Sequence, residues 1–106
     1  ALILRALQHG ATGSIAGCAN VYPKNMVGIY ENFVSGDLDA AQACQDAVAN
    51  LRSVFKYGNP NTVVKFAVNL LGYPVGKCRA PFNQLSDEGM GALRKALEED
   101  RAKGVC

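Results

Sequence analysis

The chain has 106 residues, of which 49% are hydrophobic and 19% are charged, and its formal net charge at pH 7 is +2. This composition is that of one folded domain at most, and it excludes a disordered chain. So small a charge, without a block of Lys and Arg, excludes nucleic acid and anionic membranes as expected partners.

The first ten residues are predicted to form the end of a helix. Leu2 to His9 carry a helical apolar pattern, and Gly10 stands where a left-handed residue is wanted. His9 in the last turn would favour the negative end of the helix dipole, and we prefer that role to a catalytic one. Because the chain opens inside a helical pattern without a capping residue, we expect it to be a fragment of a longer protein.

The next stretch, GSIAGCANV, is short and β-capable and is bounded by glycine, so it predicts a buried strand from about Ser14 to Cys18. The spacing of Gly10, Gly13 and Gly17 fits neither the dinucleotide fingerprint nor the Walker pattern, so a phosphate loop is not expected. Small residues instead let neighbouring elements and a ligand approach the backbone closely. A lone strand has no ladder partner, so the rest of a sheet must lie outside this chain.

Two helices are predicted next. Pro23 suits the first turn of one helix, which ends at the SGD of residues 35–37. The second helix runs from Leu38 to Phe55, with apolar residues at steps of three and four, and Gly58 ends it. The predicted apolar stripe of the first helix comprises Met26, Val27, Tyr30, Phe33 and Val34.

Two more helices complete the pattern. Asn59 and Pro60 should start one of them, which Gly72 closes. An extended connection with two prolines follows, and Ser86 then caps the last helix. The inward residues are predicted to be Val63, Val64, Ala67, Leu70 and Leu71 in one helix and Met90, Leu93 and Leu97 in the other.

The cysteines predict neither a metal site nor a disulfide framework. Cys18, Cys44, Cys78 and Cys106 are far apart, and the chain has one histidine. Cys44 falls on an apolar helix face and is expected in the core. Cys78 lies between two basic residues, which could activate a thiol, but free reduced thiols are the expectation for all four.

Two stretches resemble a known enzyme family. GATGSIAGCANVYPKNMVGIYENFVSGDLDAAQACQ is similar to the last barrel strand and following helix of the dihydrodipicolinate synthase and N-acetylneuraminate lyase family. GNPNTVVKFAVNLLGYPVGKCRAPFNQLSDEG is similar to that family's N-P…V-K…L-G…R-x-P…L-S segment. The resemblance runs from about Ala1 to Leu97. The stretch between Pro60 and Lys65 is one residue longer than in dihydrodipicolinate synthases proper, which leaves the subfamily open.

The resemblance implies an α/β fold, a (β/α)₈ TIM barrel followed by a C-terminal helical extension. This chain would be its C-terminal fragment, and alone it would be mostly helical with one short strand. Residues 1–35 would hold the end of helix seven, strand eight and helix eight of the barrel. Residues 36–106 would form the three-helix extension.

The resemblance also implies Schiff-base chemistry. In the family, a lysine on the sixth strand forms an imine with pyruvate or another 2-oxo acid, and a tyrosine on the fifth strand relays protons. Neither strand lies in this chain, so no catalytic residue is expected here and the chain alone should be inactive. Lys65 is not a candidate, because Asn61 and Asn69 place it on a polar helix face.

The implied partners of the whole protein follow from the same family. They are pyruvate, an aldehyde or amine-aldehyde co-substrate, the missing N-terminal part of the barrel, and further copies in a dimer or tetramer. The resemblance implies no cofactor and no metal. No apolar stretch is long enough to span a bilayer and no signal peptide is apparent, so a cytoplasmic location is expected.

This chain should contribute one wall of the substrate pocket. Barrel active sites lie at the C-terminal ends of the strands, which here means Ile15, Ala16, Gly17 and Asn20. By resemblance, Ile15 matches a position whose carbonyl lies beside the imine lysine, and Gly17 matches one that carries a substrate-contacting serine in sialic acid lyases. Glycine lacks that hydroxyl, which counts against N-acetylneuraminate as the substrate. Tight barrel packing alone would explain the same residues.

Three alternatives stay open. Dihydrodipicolinate synthase chemistry comes first, and a 2-keto-3-deoxy sugar acid aldolase or an N-acetylneuraminate lyase of the same family comes second. An alternative of another class is a non-catalytic helical interaction module, since the stripe from Leu38 to Phe55 is nearly heptad-spaced. That stripe spans under three heptads, which favours packing within the chain.

Overall fold

The computed structural model describes residues 2–104, which form α-helices joined by turns and irregular segments. The α-helices are α1 (Ile3–Gln8), α2 (Pro23–Ser35), α3 (Leu38–Asp46), α4 (Ala49–Ser53), α5 (Pro60–Leu70) and α6 (Asp87–Ala102). Short 3₁₀ helices span Gly17–Asn20 and Val54–Tyr57. Within residues 2–104, no helix is both long and apolar enough to cross a membrane.

The chain divides into two units, Ala1–Ala49 and Asn50–Cys106. α1, α2 and α3 pack on one another in the first unit, and α5, α6 and the second 3₁₀ helix pack on one another in the second. This division reflects only how the helices of this chain pack. The predicted boundary between residues 35 and 36 separates the end of a whole barrel from its helical extension, and it stays a prediction.

Three helices end in the same left-handed glycine turn. Gly10, Gly36 and Gly72 follow α1, α2 and α5 with φ angles of +98°, +89° and +101°. After each glycine, the next N–H donates to a carbonyl five residues earlier, which satisfies a group that a helix end otherwise leaves unpaired. The helix ends predicted from the sequence are confirmed.

The predicted helix starts are confirmed as well. Pro23 and Pro60 lie in the first turns of α2 and α5. The Asn59 carboxamide accepts a hydrogen bond from the N–H two residues later at 2.9 Å. The Ser86 hydroxyl accepts one from the N–H of Gly89 at 3.0 Å. Proline at the start and a polar cap before it are local features, which is why the sequence reveals them.

The predicted strand from Ser14 to Cys18 is wrong for this chain. Residues 11–16 have no regular secondary structure, Gly17–Asn20 form a 3₁₀ turn, and no strand occurs anywhere in residues 2–104. Ile15, which was expected to be buried, is fully exposed. A strand needs a neighbour to pair its N–H and C=O groups, and the described part of the chain offers none. The mostly helical character is confirmed.

The single helix predicted from Leu38 to Phe55 is also wrong. It is divided into α3, α4 and a 3₁₀ segment, with an interruption at Ala47 and Val48. The Val48 N–H donates to the carbonyl three residues back, at 3.3 Å, instead of four. The interruption falls where the chain passes from the first unit to the second. The apolar residues before it therefore pack in the first unit, and those after it pack in the second. The periodicity of the sequence does not reveal that the two halves pack against different elements.

The first unit contains one buried apolar cluster, against which partly buried side chains pack. The cluster comprises Leu4, Leu7, Ile29 and Ala41, and the residues packed against it are Ile3, Met26, Phe33 and Cys44. Cys44 therefore lies at the edge of the core that was predicted for it. Its Sγ lies 3.7 Å from the Asn32 Nδ2, within reach of a weak hydrogen bond.

The predicted apolar stripe of α2 is only partly correct. Ile29, which the pattern did not single out, is its fully buried residue, and Met26 and Phe33 flank it. Val27, Tyr30 and Val34 are exposed, at 53%, 49% and 64% of their surface. We call these three the α2 apolar stripe.

The second unit is built on α5 and α6. Its buried apolar side chains are Leu51, Val54, Val63, Val64, Ala67, Leu93, Ala96 and Leu97. Leu70 is exposed, and Leu71 and Met90 are half-buried, so three residues predicted to point inward lie at the margin.

Polar side chains fasten the irregular parts of the second unit. The hydroxyl of Thr62, a residue only 2% exposed, donates to the Phe82 carbonyl at 2.7 Å. The Asn69 carboxamide donates to the Gly76 carbonyl at 2.7 Å and accepts from its N–H at 3.3 Å. The predicted extended connection between α5 and α6 is therefore attached to α5 at two points.

Candidate substrate-pocket wall

The four predicted pocket-wall residues lie in one short segment that leads into α2. Ile15 is fully exposed, and Ala16 is half-buried with an extended backbone (φ −130°, ψ 124°). Gly17 begins the 3₁₀ turn, and Asn20 ends it with its side chain exposed. The segment thus changes from extended to helical between Ala16 and Gly17.

The turn is closed by its own hydrogen bonds. The Ala19 N–H donates to the Ala16 carbonyl at 3.1 Å, and the Asn20 Nδ2 donates to the Gly17 carbonyl at 3.1 Å. Val21 and Tyr22, which follow directly, are 4% and 1% exposed. Because these two side chains are buried where α2 begins, the turn is fixed at its C-terminal end.

The N-terminal side of the segment is open. Within residues 2–104, the backbone groups of residues 12–15 form no hydrogen bond. Residues 12–15 are exposed, so these groups are accessible to solvent and available to another chain segment or a ligand. The segment can offer backbone donors and acceptors and an apolar side chain, but none of the four predicted residues can carry a proton or act as a nucleophile.

Other residues considered from the sequence lie apart from this segment. The His9 Nδ1 lies 2.8 Å from the Arg5 carbonyl, and the side chain is exposed in the last turn of α1, as its predicted role requires. Lys65 is half-buried and shares a helix face with Asn69, whose amide binds the Lys65 carbonyl at 2.8 Å. Neither arrangement indicates a catalytic role.

The cysteines within residues 2–104 belong to no cluster that could hold a metal ion. Cys44 in the first unit and Cys78 in the second form no disulfide. Cys106 lies outside the described residues. Within residues 2–104, no three His, Cys, Asp or Glu side chains come close enough to hold a metal ion together.

Sequence reasoning missed two clefts of the second unit. One lies between α5 and α6 and has a volume of about 240 Å³. The other, of about 210 Å³, lies between α6 and the segment from α4 to the second 3₁₀ helix. Each cleft is lined on one side by residues spaced three and four apart on α6, and this spacing is visible in the sequence. The other side of each cleft comes from a segment distant in sequence, which the spacing does not identify.

The chain is similar to known proteins over nearly its whole length. The model of the dihydrodipicolinate synthetase family matches residues 1–100. A protein described as an uncharacterized DapA-like lyase from Halobacterium salinarum is 36% identical over 98 residues, which cover 92% of this chain and 32% of that protein. A 4-hydroxy-tetrahydrodipicolinate synthase from Methanoculleus marisnigri is 43% identical over 98 residues, with 92% and 33% of the two chains covered.

Further relatives have the same description. A 4-hydroxy-tetrahydrodipicolinate synthase from Methanosphaerula palustris is 37% identical over 97 residues, which cover 91% of this chain and 33% of the relative. The chain thus spans about a third of the length of the curated relatives it matches.

Proposed function

The chain belongs to the dihydrodipicolinate synthetase family, and from that membership we propose that it is the C-terminal part of a pyruvate-dependent Schiff-base lyase or synthase. The observation that carries the proposal is the 43% identity to a 4-hydroxy-tetrahydrodipicolinate synthase over 92% of this chain. The reaction proposed for the whole protein joins pyruvate to an aldehyde or amine-aldehyde, or reverses that step.

The open segment before α2 supports a larger parent protein. Residues 12–15 leave their backbone groups without partners in the described chain, and Ile15 is fully exposed beside them. In the proposed barrel, this segment would become strand eight, and the neighbouring strands would pair with it. The Ile15 carbonyl would then lie beside the imine lysine, and Ala16, Gly17 and Asn20 would line the pocket.

The α2 apolar stripe supports the same conclusion by a separate route. Ile29, Met26 and Phe33 already form the side of α2 that contacts its own unit. The exposed Lys24, Glu31 and Ser35 form a polar side that suits solvent. Val27, Tyr30 and Val34 lie between these two sides, at the i, i+3 and i+7 spacing of a single stripe. An exposed apolar stripe on a helix that already has a polar side for solvent is typical of an interaction surface. We therefore expect the rest of the barrel, outside this chain, to cover the α2 apolar stripe.

The proposal assigns the chemistry to groups outside residues 1–106. The imine lysine and the proton-relaying tyrosine belong to the earlier strands, and this chain contributes one pocket wall and the helical extension. In this scheme, residues 1–35 end the barrel and residues 36–106 form the extension. A cytoplasmic homo-oligomer, either a dimer or a tetramer, remains part of the proposal.

Borohydride trapping tests the function. A lysine amine and the keto carbon of pyruvate condense to an imine with loss of water, and hydride from borohydride reduces the imine to a stable secondary amine. The intact protein should gain a pyruvate-derived mass on one lysine, and digestion should place it outside these 106 residues. The 106-residue chain alone is the matched control and should gain none. Absence of the adduct from the intact protein would overturn the assignment.

A further inference from the structure

The cleft between α5 and α6 has an apolar floor and a charged rim. It is lined by Leu70, Leu71, Arg94, Leu97, Glu98 and Arg101. Leu97 is buried and Leu71 half-buried, so they form the floor, while Leu70 is exposed at the rim. All of these residues belong to the second unit, whereas the predicted pocket wall belongs to the first.

The α6 side of the cleft carries two arginines that have no ion-pair partner among residues 2–104. Arg94 and Arg101 are seven residues apart, so they lie on the same face of the helix, with Leu97 and Glu98 between them. The ion pair found in residues 2–104 joins Lys95 and Glu99, and neither arginine takes part in it. Two guanidinium groups and one carboxylate leave the cleft with a net charge of one positive unit.

The cleft between α6 and the segment from α4 to the second 3₁₀ helix also contains cations, but these already have partners. Lys56 and Lys95 line it, but the Lys56 Nζ lies over the Tyr57 ring at 5.2 Å from the centroid. Lys95 is 4.0 Å from the Glu99 carboxylate. Both cations of that cleft therefore have partners within the protein. Of these two clefts, the one between α5 and α6 is therefore the one whose cations are free to bind an added anion.

We propose that the cleft between α5 and α6 binds a small aliphatic monocarboxylate. A guanidinium group matches a carboxylate with two parallel N–H···O bonds, and the leucine floor takes up an alkyl chain. The Glu98 carboxylate disfavours a second negative charge on the ligand. The volume of about 240 Å³ lies below the range of about 300 to 1,000 Å³ that is usual for drug-sized ligands. A ligand of about six carbons therefore suits it.

Calorimetric titration of the intact protein with hexanoate tests the site. We expect saturable binding of millimolar order, because the cleft is open and the ligand is small. Acetate, which lacks the alkyl chain, and hexylamine, which has the opposite charge, should bind more weakly or not at all. Absence of hexanoate binding, or equal binding of all three compounds, would overturn the proposal.

Substitutions locate the binding. The double variant Arg94→Gln, Arg101→Gln should weaken hexanoate binding by about tenfold or more. Glu98→Gln removes the opposing charge and should tighten it several-fold. Lys95→Gln is the matched control, since it removes a positive charge from the same helix outside this cleft. All four side chains are exposed, so these variants should keep the fold.

A last variant, at the apolar rim residue Leu70, separates the contribution of the leucines from that of the charges. Leu70→Ser leaves every charge in place and should weaken hexanoate binding while leaving the weaker acetate response unchanged. Unchanged hexanoate binding in the double arginine variant would mean that the ligand sits elsewhere, for example in a pyruvate pocket, and would overturn the proposal.

Discussion

The Sγ of Cys44 occupies the space that a side chain at Gly28 would need. A Cβ built on Gly28 would lie 2.8 Å from this sulfur and 3.7 Å from the Cys44 Cβ. The two residues lie on α2 and α3, so the missing side chain permits close contact between these helices. Glycine inside a helix costs about 0.5 to 1 kcal/mol relative to alanine, and the close contact offsets that cost.

Gly28→Ala should therefore destabilise the protein by about 1 kcal/mol, because overpacking costs about 1 to 3 kcal/mol and the gain in helix propensity recovers part of it. In a Cys44→Ala background the sulfur is gone, and the same substitution should become neutral or stabilising. Chemical denaturation of the four proteins of this double-mutant cycle measures the coupling between the two positions.

Gly91→Ala is the control for Gly28→Ala. Gly91 lies within α6 with open space around it, and its substitution should stabilise by about 0.5 to 1 kcal/mol. Equal effects of Gly28→Ala in both backgrounds would contradict the steric account.

Asn50→Ala should destabilise the second unit more than a surface polar substitution does. Asp100 is 2% exposed, and its carboxylate accepts a hydrogen bond from the Asn50 Nδ2 at 2.9 Å. Removing a donor from a buried carboxylate costs about 1 to 3 kcal/mol. The exposed Gln42–Asp46 hydrogen bond of 2.8 Å provides the control, and Gln42→Ala should cost less than about 0.5 kcal/mol. Similar unfolding free energies for the two variants would show that the buried bond contributes little.

Val34→Asn should lower the stability of the intact protein although Val34 is 64% exposed in this chain. If a barrel covers the α2 apolar stripe, the substitution places an amide in an apolar contact, at a cost of about 1 to 3 kcal/mol. Glu31→Gln, on the polar side of the same helix, should change the unfolding free energy by less than about 0.5 kcal/mol. Thermal unfolding of both variants tests this. An unchanged melting temperature for Val34→Asn would mean that the stripe faces solvent in the whole protein.

The 106-residue chain produced alone should self-associate. Its α2 apolar stripe and the unpaired backbone of residues 12–15 are both exposed, and such surfaces promote association. Light scattering across a concentration series measures this, and a triple variant Val27→Ser, Tyr30→Ser, Val34→Ser should reduce it. A monodisperse, cooperatively unfolding wild-type chain would instead favour the helical interaction module.

The sequence determined the features that a few neighbouring residues control. Pro23, Asn59, Pro60 and Ser86 mark helix starts, and glycines mark helix ends, because a cap or a left-handed turn satisfies the backbone locally. The ordered motifs along the chain also carried the family resemblance, which the match over residues 1–100 confirms. The predicted pocket wall at Ile15, Ala16, Gly17 and Asn20 stays a prediction.

Only the tertiary structure decided what depends on distant partners. It divided the predicted helix from Leu38 to Phe55 at Val48, where the apolar stripe passes from one core to another. It selected Ile29 as the buried residue of α2 and left Val27, Tyr30 and Val34 exposed. It also left Ser14 to Cys18 without a strand, although the local pattern favours one. The physical reason is common to all three: burial and strand pairing are set by what lies opposite a residue, and the residue's own neighbours in sequence do not specify it.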